Sequence, residues 1–215
     1  MKVLRKCISV LITVLFAVSM TGCKNFGNKS TIDKVERSLM SCGAKEVRTY
    51  SELLNTSLQL KTSPKAASYY FCEYEEAKNR FSKAFNESQK LPKYEPVGFI
   101  AAFVAEQNKA GVDTTSVHSA EFRTENEAKR TYEQTAKELM MKKDDGEQVE
   151  DETCSYTLTY IKDVNSITVK GVYVTGTNVT KIEATVHSND VNEFLEQFCQ
   201  KMKWVSPASI VPTEE

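Results

Sequence analysis

The last third of the chain leaves its backbone few choices. Cys154, Tyr156, Leu158 and Tyr160 alternate with Ser155, Thr157 and Thr159, and a period of two is the mark of a half-buried strand. SITVKGVYV and VTKIEATVH then flank Gly176-Thr177-Asn178, which predicts a hairpin across a glycine-containing turn. Ile182, Ala184 and Val186 share one face of it. Ser188 or Asn189 is placed to cap a closing helix, with Asp190 at its positive end and Lys201 and Lys203 at its negative end. Val191, Phe194, Leu195, Phe198 and Met202 form the apolar stripe of that helix, and Cys199 lies beside it. A helix laid across hairpins is the beginning of an α+β arrangement.

Upstream the pattern is more mixed. Ser30 or Thr31 caps a first helix, Ile32, Val35 and Leu39 keep helical spacing, and Gly43 ends it just after Cys42. Leu58 and Leu60 alternate with polar residues, Ser63-Pro64 turns, and AASYYFC returns, which reads as a hairpin. EYEEAKNRFSKAF is helical, with Tyr74, Ala77, Phe81, Ala84 and Phe85 on one face. One long helix from Pro64 to Phe85 competes, because Tyr70 extends the same spacing. An internal match at an offset of 51 favours strand then helix: FCEYEEAKNRF at 71–81 aligns with FRTENEAKRTY at 122–132. In the second copy Thr124 and Glu127 form a capping box, and Ala128, Tyr132, Ala136 and Leu139 follow on one face. Between the copies, VGFIAAFVAE pairs with VDTTSVHSAEF, although Pro96 before an Ala-rich run also permits a helix. KKDDGEQVEDE reads as a solvated loop, since its acidic residues lack the ligand spacing of a calcium loop. The expectation is an α+β fold, an antiparallel sheet or sheets with amphipathic helices on one face. It divides into as many as two related α/β halves, 31–92 and 93–204, followed by a loose tail at 205–215.

The first 23 residues speak of location. Lys2, Arg5 and Lys6 precede an uncharged run from Cys7 to Met20, the order of a secretory signal that is removed from the mature protein. The run is shorter than the roughly 20 residues a spanning helix needs. Met20-Thr21-Gly22-Cys23 resembles the lipobox of bacterial lipoproteins, with Met where Leu is commoner. That resemblance implies removal of residues 1–22, a diacylglyceryl group on Cys23, further acylation by a chain such as palmitate, and a short tether over 23–30. Each buried methylene adds about 0.8 kcal/mol, so two or three chains hold far more firmly than one. The implied location is the cell membrane, lipid-anchored and facing the exterior. GVYVTGTNVTKIEATVHSNDVNEFLEQF and AEFRTENEAKRTY are also similar to small clostridial-type membrane lipoproteins of unknown function, which implies fold and location rather than activity.

The 215-residue chain has a net charge of −1. Taking Lys2, Arg5 and Lys6 from its 28 basic residues leaves 25 against 29 acidic ones. That balance excludes the basic footprint of a nucleic-acid binder and electrostatic adhesion to anionic lipid. Of six cysteines, Cys7 leaves with the signal and Cys23 is acylated. Cys42, Cys72, Cys154 and Cys199 remain, an even number in an exported chain, which predicts two disulfides. Three pairings exist. Cys42–Cys72 with Cys154–Cys199 is favoured, the latter stapling the closing helix to the inner face of a strand.

Motifs for chemistry are sparse. His118 and His187 fall in predicted strands without a second histidine or carboxylate at metal-ligand spacing. No Gly-x-Ser-x-Gly elbow and no glycine-rich phosphate loop is present, so no catalytic residue, metal or cofactor is expected. Tyr69, Tyr70, Phe71 and Tyr74 cluster in sequence. Core packing accounts for about half of a strand's aromatics, and Tyr69, Tyr70 and Tyr74 are the candidates for a binding surface. The expected role is a non-enzymatic binding or interaction module of the envelope, held to the membrane by its lipid and meeting an envelope protein or ligand. The alternatives are a hydrolase assembled from dispersed residues and a solute-binding lipoprotein.

Overall fold

Every apolar stripe in the helices finds a strand to cover. The computed structural model describes residues 31–85, 94–140, 145–149 (backbone alone), 154–187 and 192–212. In chain order the elements are α1 (Thr31–Ser41), β1 (Lys45–Glu46), α2 (Tyr50–Leu54), a 3₁₀ turn (Thr56–Lys61), β2 (Lys65–Glu73) and α3 (Tyr74–Phe85). Then come β3 (Gly98–Gln107), β4 (Val112–Glu121), α4 (Glu125–Met140), β5 (Asp145–Val149), β6 (Ser155–Lys162), β7 (Ile167–Thr175) and β8 (Asn178–Val186). The chain closes with α5 (Glu193–Met202) and a second 3₁₀ turn (Pro207–Ile210). No described helix is long and apolar enough to cross a membrane.

All eight strands join one sheet in the order β1-β2-β3-β4-β8-β7-β6-β5. Every pairing is antiparallel except the two-residue β1, which runs parallel to β2. The two halves anticipated from the sequence meet as a continuous ladder between β2 and β3, Lys65↔Glu106 through Glu73↔Gly98. Residues from Thr31 onward form one compact unit.

The α+β class and the antiparallel sheet are as expected. The helices, however, cover both faces rather than one. On the first face, Ile32, Val35 and Leu39 of α1 and Phe194, Leu195, Phe198 and Met202 of α5 pack with Tyr69, Ile100, Val117, Leu158, Tyr173 and Ile182. On the second, Leu53 of α2, Ala77, Phe81 and Phe85 of α3, and Ala128, Tyr132, Ala136 and Leu139 of α4 pack with Tyr70, Phe99, Ala120, Val172 and Val179. The cause is visible in β3, where Phe99, Ile100 and Ala101 are each fully buried although alternate residues point to opposite sides. A strand apolar on both sides needs two covers. Each fully buried Leu, Ile or Phe contributes about 1.5–3 kcal/mol.

The internal match is structural. Strand β2 leads into α3 and strand β4 into α4, and the helices start at Tyr74 and Glu125, 51 residues apart. Ala77, Phe81 and Phe85 correspond to Ala128, Tyr132 and Ala136, all on the second face. Phe71 and Phe122 do not correspond, because Phe71 packs against the first face and Phe122 lies in the second.

Three expectations change. Residues 56–61 form a 3₁₀ turn rather than a hairpin strand, and Leu58 is exposed there. Asp145–Val149, read as loop, is the edge strand β5 against β6, so local charge gave way to the open ladder of its neighbour. The tail is not loose from Val205: Pro207–Ile210 forms a turn, and Ala208, Ile210 and Val211 pack on the first-face core. Ser188, Asn189, Asp190 and Val191 lie outside the described residues. The cap of α5 is Asn192, whose Oδ1 accepts from Leu195 N–H at 3.0 Å.

Candidate functional site

Strand alternation separates the three tyrosines singled out as a surface. Tyr69 faces the first core at 1% exposure, and its hydroxyl donates to Glu36 Oε1 on α1 at 3.3 Å. Tyr70 faces the second core, its ring edge-on to Tyr50 at 5.9 Å and its hydroxyl donating to Glu76. Burial, and then the adjacent carboxylates, push both phenols up to about 12. Arg80 ties the second group together, lying 4.2 Å over the Tyr50 ring and donating to Glu76 Oε1 at 3.1 Å. Tyr74 alone points outward, 71% exposed. Its φ of 53° is an uncommon left-handed conformation for an aromatic residue, and it lets β2 pass straight into α3. Its N–H donates to the Val97 carbonyl at 3.1 Å. No joint Tyr69–Tyr70–Tyr74 surface forms.

No disulfide joins the four described cysteines. Cys42, Cys154 and Cys199 gather at the first face, while Cys72 lies in the second-face core. The favoured Cys42–Cys72 pairing is thus split by the sheet itself. Cys199 is 1% exposed and hydrogen-bonded to the Tyr173 hydroxyl, which also has Cys154 in its surroundings. Burial pushes the Cys42 thiol up, and it pushes the Cys72 and Cys199 thiols up to about 12, with Glu76 and Glu196 respectively adding to the effect.

The two histidines have different settings. His118 stacks on Phe99 at 6.1 Å and 18° on the second face. Burial, helped by the charge of Lys181 on the neighbouring strand, pushes its pKa down to about 4, so the ring is neutral. His187 follows β8 and meets Asp113, 8% exposed, at the start of β4. Asp113 Oδ1 accepts from His187 N–H at 2.8 Å and faces His187 Nδ1 at 3.4 Å. Its Oδ2 accepts from Asn108 Nδ2 at 2.7 Å. Sequence inspection missed this carboxylate because 74 residues separate the partners and only the β4–β8 ladder brings them together. A carboxylate orienting an imidazole is one part of a nucleophile–base–acid set. Among the described residues no hydroxyl or thiol is hydrogen-bonded to Nε2. The pair joins the β3–β4 hairpin to the end of β8.

A further polar cluster sits inside the first face. Ser119 Oγ, Thr180 Oγ1 and Asn178 Oδ1 lie 2.8–2.9 Å from one another, so two hydroxyl protons serve three short contacts. Asn178 Nδ2 and Thr175 Oγ1 are buried without a hydrogen-bond partner among the described residues. No group of three His, Cys, Asp or Glu able to hold a metal occurs among the described residues.

No protein-family model and no curated protein matches the chain. Solved structures give distant likenesses. The extracellular domain of PknH from Mycobacterium tuberculosis aligns at TM-score 0.38 and 13% identity, over 73% of this chain and 90% of that one. A GTP binding regulator from Thermotoga maritima aligns at TM-score 0.33 and 12% identity, over 70% of this chain and 86% of that one.

Proposed function

We propose that the chain is a bacterial lipoprotein, exported on residues 1–22, acylated at Cys23, and carried on the outer side of the cell membrane as a non-enzymatic interaction module. The observation that carries this reading is the placement of the lipobox-like Met20-Thr21-Gly22-Cys23 behind a cationic and apolar leader, with the compact unit starting at Thr31. Seven residues separate Cys23 from that unit, a tether of at most about 25 Å when fully extended. Glu36–Tyr69, Asp113–His187 and Ser119–Asn178–Thr180 each join elements of the fold. Tyr74, 71% exposed, is the candidate contact to a protein or ligand of the envelope.

The test is the intact mass of the protein taken from native membranes, with a Cys23→Ser variant beside it. The reading requires a diacylglyceryl-modified chain beginning at Cys23, and loss of membrane retention in the variant. An unacylated chain, or a variant retained as well as the parent, overturns it. For the partner, a photo-crosslinking residue at position 74 is expected to give a defined adduct on cells. A crosslinker at exposed Glu75 giving the same adducts as one at Lys129 would argue for non-specific capture.

A further inference from the structure

We infer that the turn end of the β7–β8 hairpin is a binding site for one internal water molecule, held between Asn178 Nδ2 and Thr175 Oγ1 beside the start of α1.

Thr175 and Asn178 are the last pair of the β7–β8 ladder, closed by the two-residue turn Gly176-Thr177. Gly176 has a φ of 55°, the left-handed geometry that tight hairpin turns draw from glycine. Residues opposed across a ladder put their side chains on one face. Here it is the first face, because Tyr173 and Ile182, an even number of steps away along each strand, belong to its core. The Cα atoms of such a pair stand about 4.5–5.5 Å apart, so a single small molecule can reach both side-chain tips.

Both tips are polar and buried, and neither has a hydrogen-bond partner among the described residues. Asn178 as a whole is 1% exposed. The other side of its amide is taken, since Oδ1 lies 2.9 Å from Ser119 Oγ and 2.8 Å from Thr180 Oγ1. Ser119 belongs to β4, and β8 runs between β4 and β7. With Oδ1 drawn toward β4, Nδ2 is turned to the β7 side, where Thr175 stands. A buried donor left unmade is costly, and native cores satisfy such groups with protein or ordered water.

The chemistry of the two tips selects the ligand. Nδ2 can only donate, which turns a cation away, whereas the threonine hydroxyl both donates and accepts. Carboxylates disfavour an anion: Thr177 Oγ1 donates to Glu121 Oε1 at 3.4 Å, and a Cβ on Gly176 would stand 4.0 Å from Glu125 Oε1. The same Cβ would stand 3.6 Å from Thr31 Oγ1, so the first residue of α1 closes over the turn and keeps the ligand small. A water meets each demand. Its oxygen accepts from Nδ2 and one of its hydrogens goes to Thr175 Oγ1, which supplies the two partners a buried water needs at least. The pairing of asparagine with threonine on a core face is thereby accounted for.

A high-resolution crystal structure of the full-length protein tests this, with Thr175→Val and Ser119→Ala beside it. Expected in the parent is one ordered solvent peak within hydrogen-bonding distance of both the Asn178 amide and Thr175 Oγ1. Thr175→Val keeps the shape and β-branching of the side chain and should lose the peak. Ser119→Ala removes a hydroxyl from the opposite side of the amide and should keep it. In solution, relaxation dispersion of the solvent nuclei should count one long-lived water fewer in Thr175→Val than in the parent, and no change in Ser119→Ala. A direct hydrogen bond between the Asn178 amide and Thr175 Oγ1 overturns the site, because an amide turned over in this way leaves no donor for water. A peak that survives Thr175→Val, or an unchanged count of long-lived waters in that variant, overturns it as well.

Discussion

Trp204 stacks on Tyr173 with ring centroids 4.5 Å apart and planes 7° from parallel, and the Tyr173 hydroxyl donates to the carbonyl of the next residue, Val205, at 2.7 Å. One phenol thus holds the chain after α5 against β7 by stacking and by a hydrogen bond. Gly171 completes the fit, because a Cβ there would come within 2.7 Å of the Tyr173 ring and 3.0 Å of Pro207.

Tyr173→Phe keeps the stack and removes the hydroxyl that meets the Val205 carbonyl and Cys199, at a cost of about 1 kcal/mol or somewhat more. Trp204→Ala removes the stack and a buried ring, at a cost of about 3 kcal/mol. Trp204 is the chain's single tryptophan, so its fluorescence follows urea unfolding of the Phe variant directly, and circular dichroism serves for the Ala variant. Equal losses in the two variants would show that the hydrogen bond, not the stack, secures this segment.

The Asp113 clamp makes a different demand. Its carboxylate takes hydrogen bonds from Asn108 Nδ2 and His187 N–H while largely buried. Asp113→Ala leaves both donors without an acceptor, and such losses cost about 3 kcal/mol. Asp113→Asn retains one carbonyl oxygen and should fall between. Urea midpoints of the three proteins check the order; an Ala variant as stable as the parent removes the clamp from the account.

Much of this fold was legible in the residues, and the failures share a cause. The β7–β8 hairpin, the capping box and the stripes of α1, α3, α4 and α5 are local patterns and stand where periodicity puts them, except that Tyr74, read on the apolar face of α3, points outward, and Val191 lies outside the described residues. The strand-then-helix reading of 66–85 came from the 51-residue offset and holds, with the helix beginning at Tyr74. What was missed depends on distant partners. Strand β5 exists because β6 offers it an edge, and Asp113 meets His187 because β4 lies beside β8. The tyrosines looked like a cluster because they adjoin in sequence, yet alternation sends Tyr69 and Tyr70 to opposite cores. Likewise, cysteine spacing carries no record of which face a strand presents, so the favoured Cys42–Cys72 pairing joined two sulfurs that the sheet keeps apart.

The helix caps offer a graded comparison. Thr124 and Glu127 close a capping box at the start of α4: Thr124 N–H donates to Glu127 Oε2 at 3.0 Å, and Glu127 N–H to Thr124 Oγ1 at 3.2 Å. The box is exposed, and Thr124→Ala should cost about 1 kcal/mol. Asn192 caps α5 and also donates through Nδ2 to Thr115 Oγ1 at 2.9 Å, tying the helix to β4. Asn192→Ala should therefore cost more than Thr124→Ala, by about 1 kcal/mol for the second bond. Thermal melts of both variants decide it; equal shifts would mean that the bond to Thr115 adds nothing.

The neutral ring of His118 makes stability depend on pH in a defined direction. Its pKa in the folded chain is pushed down to about 4, by burial first and Lys181 second, from an ordinary value of 6.5. Between those two values the unfolded chain holds a proton that the folded chain does not. Stability therefore rises with pH across that window: the full contribution is present above 6.5 and is lost as pH falls toward 4. The loss from this group is about 1.4 kcal/mol per pH unit within the window, or roughly 2 kcal/mol between pH 6.5 and 5. Carboxylates titrate as well, so the comparison is with His118→Phe, which retains an aromatic ring against Phe99. Urea midpoints at pH 7 and 5 should converge in the variant far more than in the parent. An equal acid loss in both proteins would place the sensitivity elsewhere and leave His118 without a part in it.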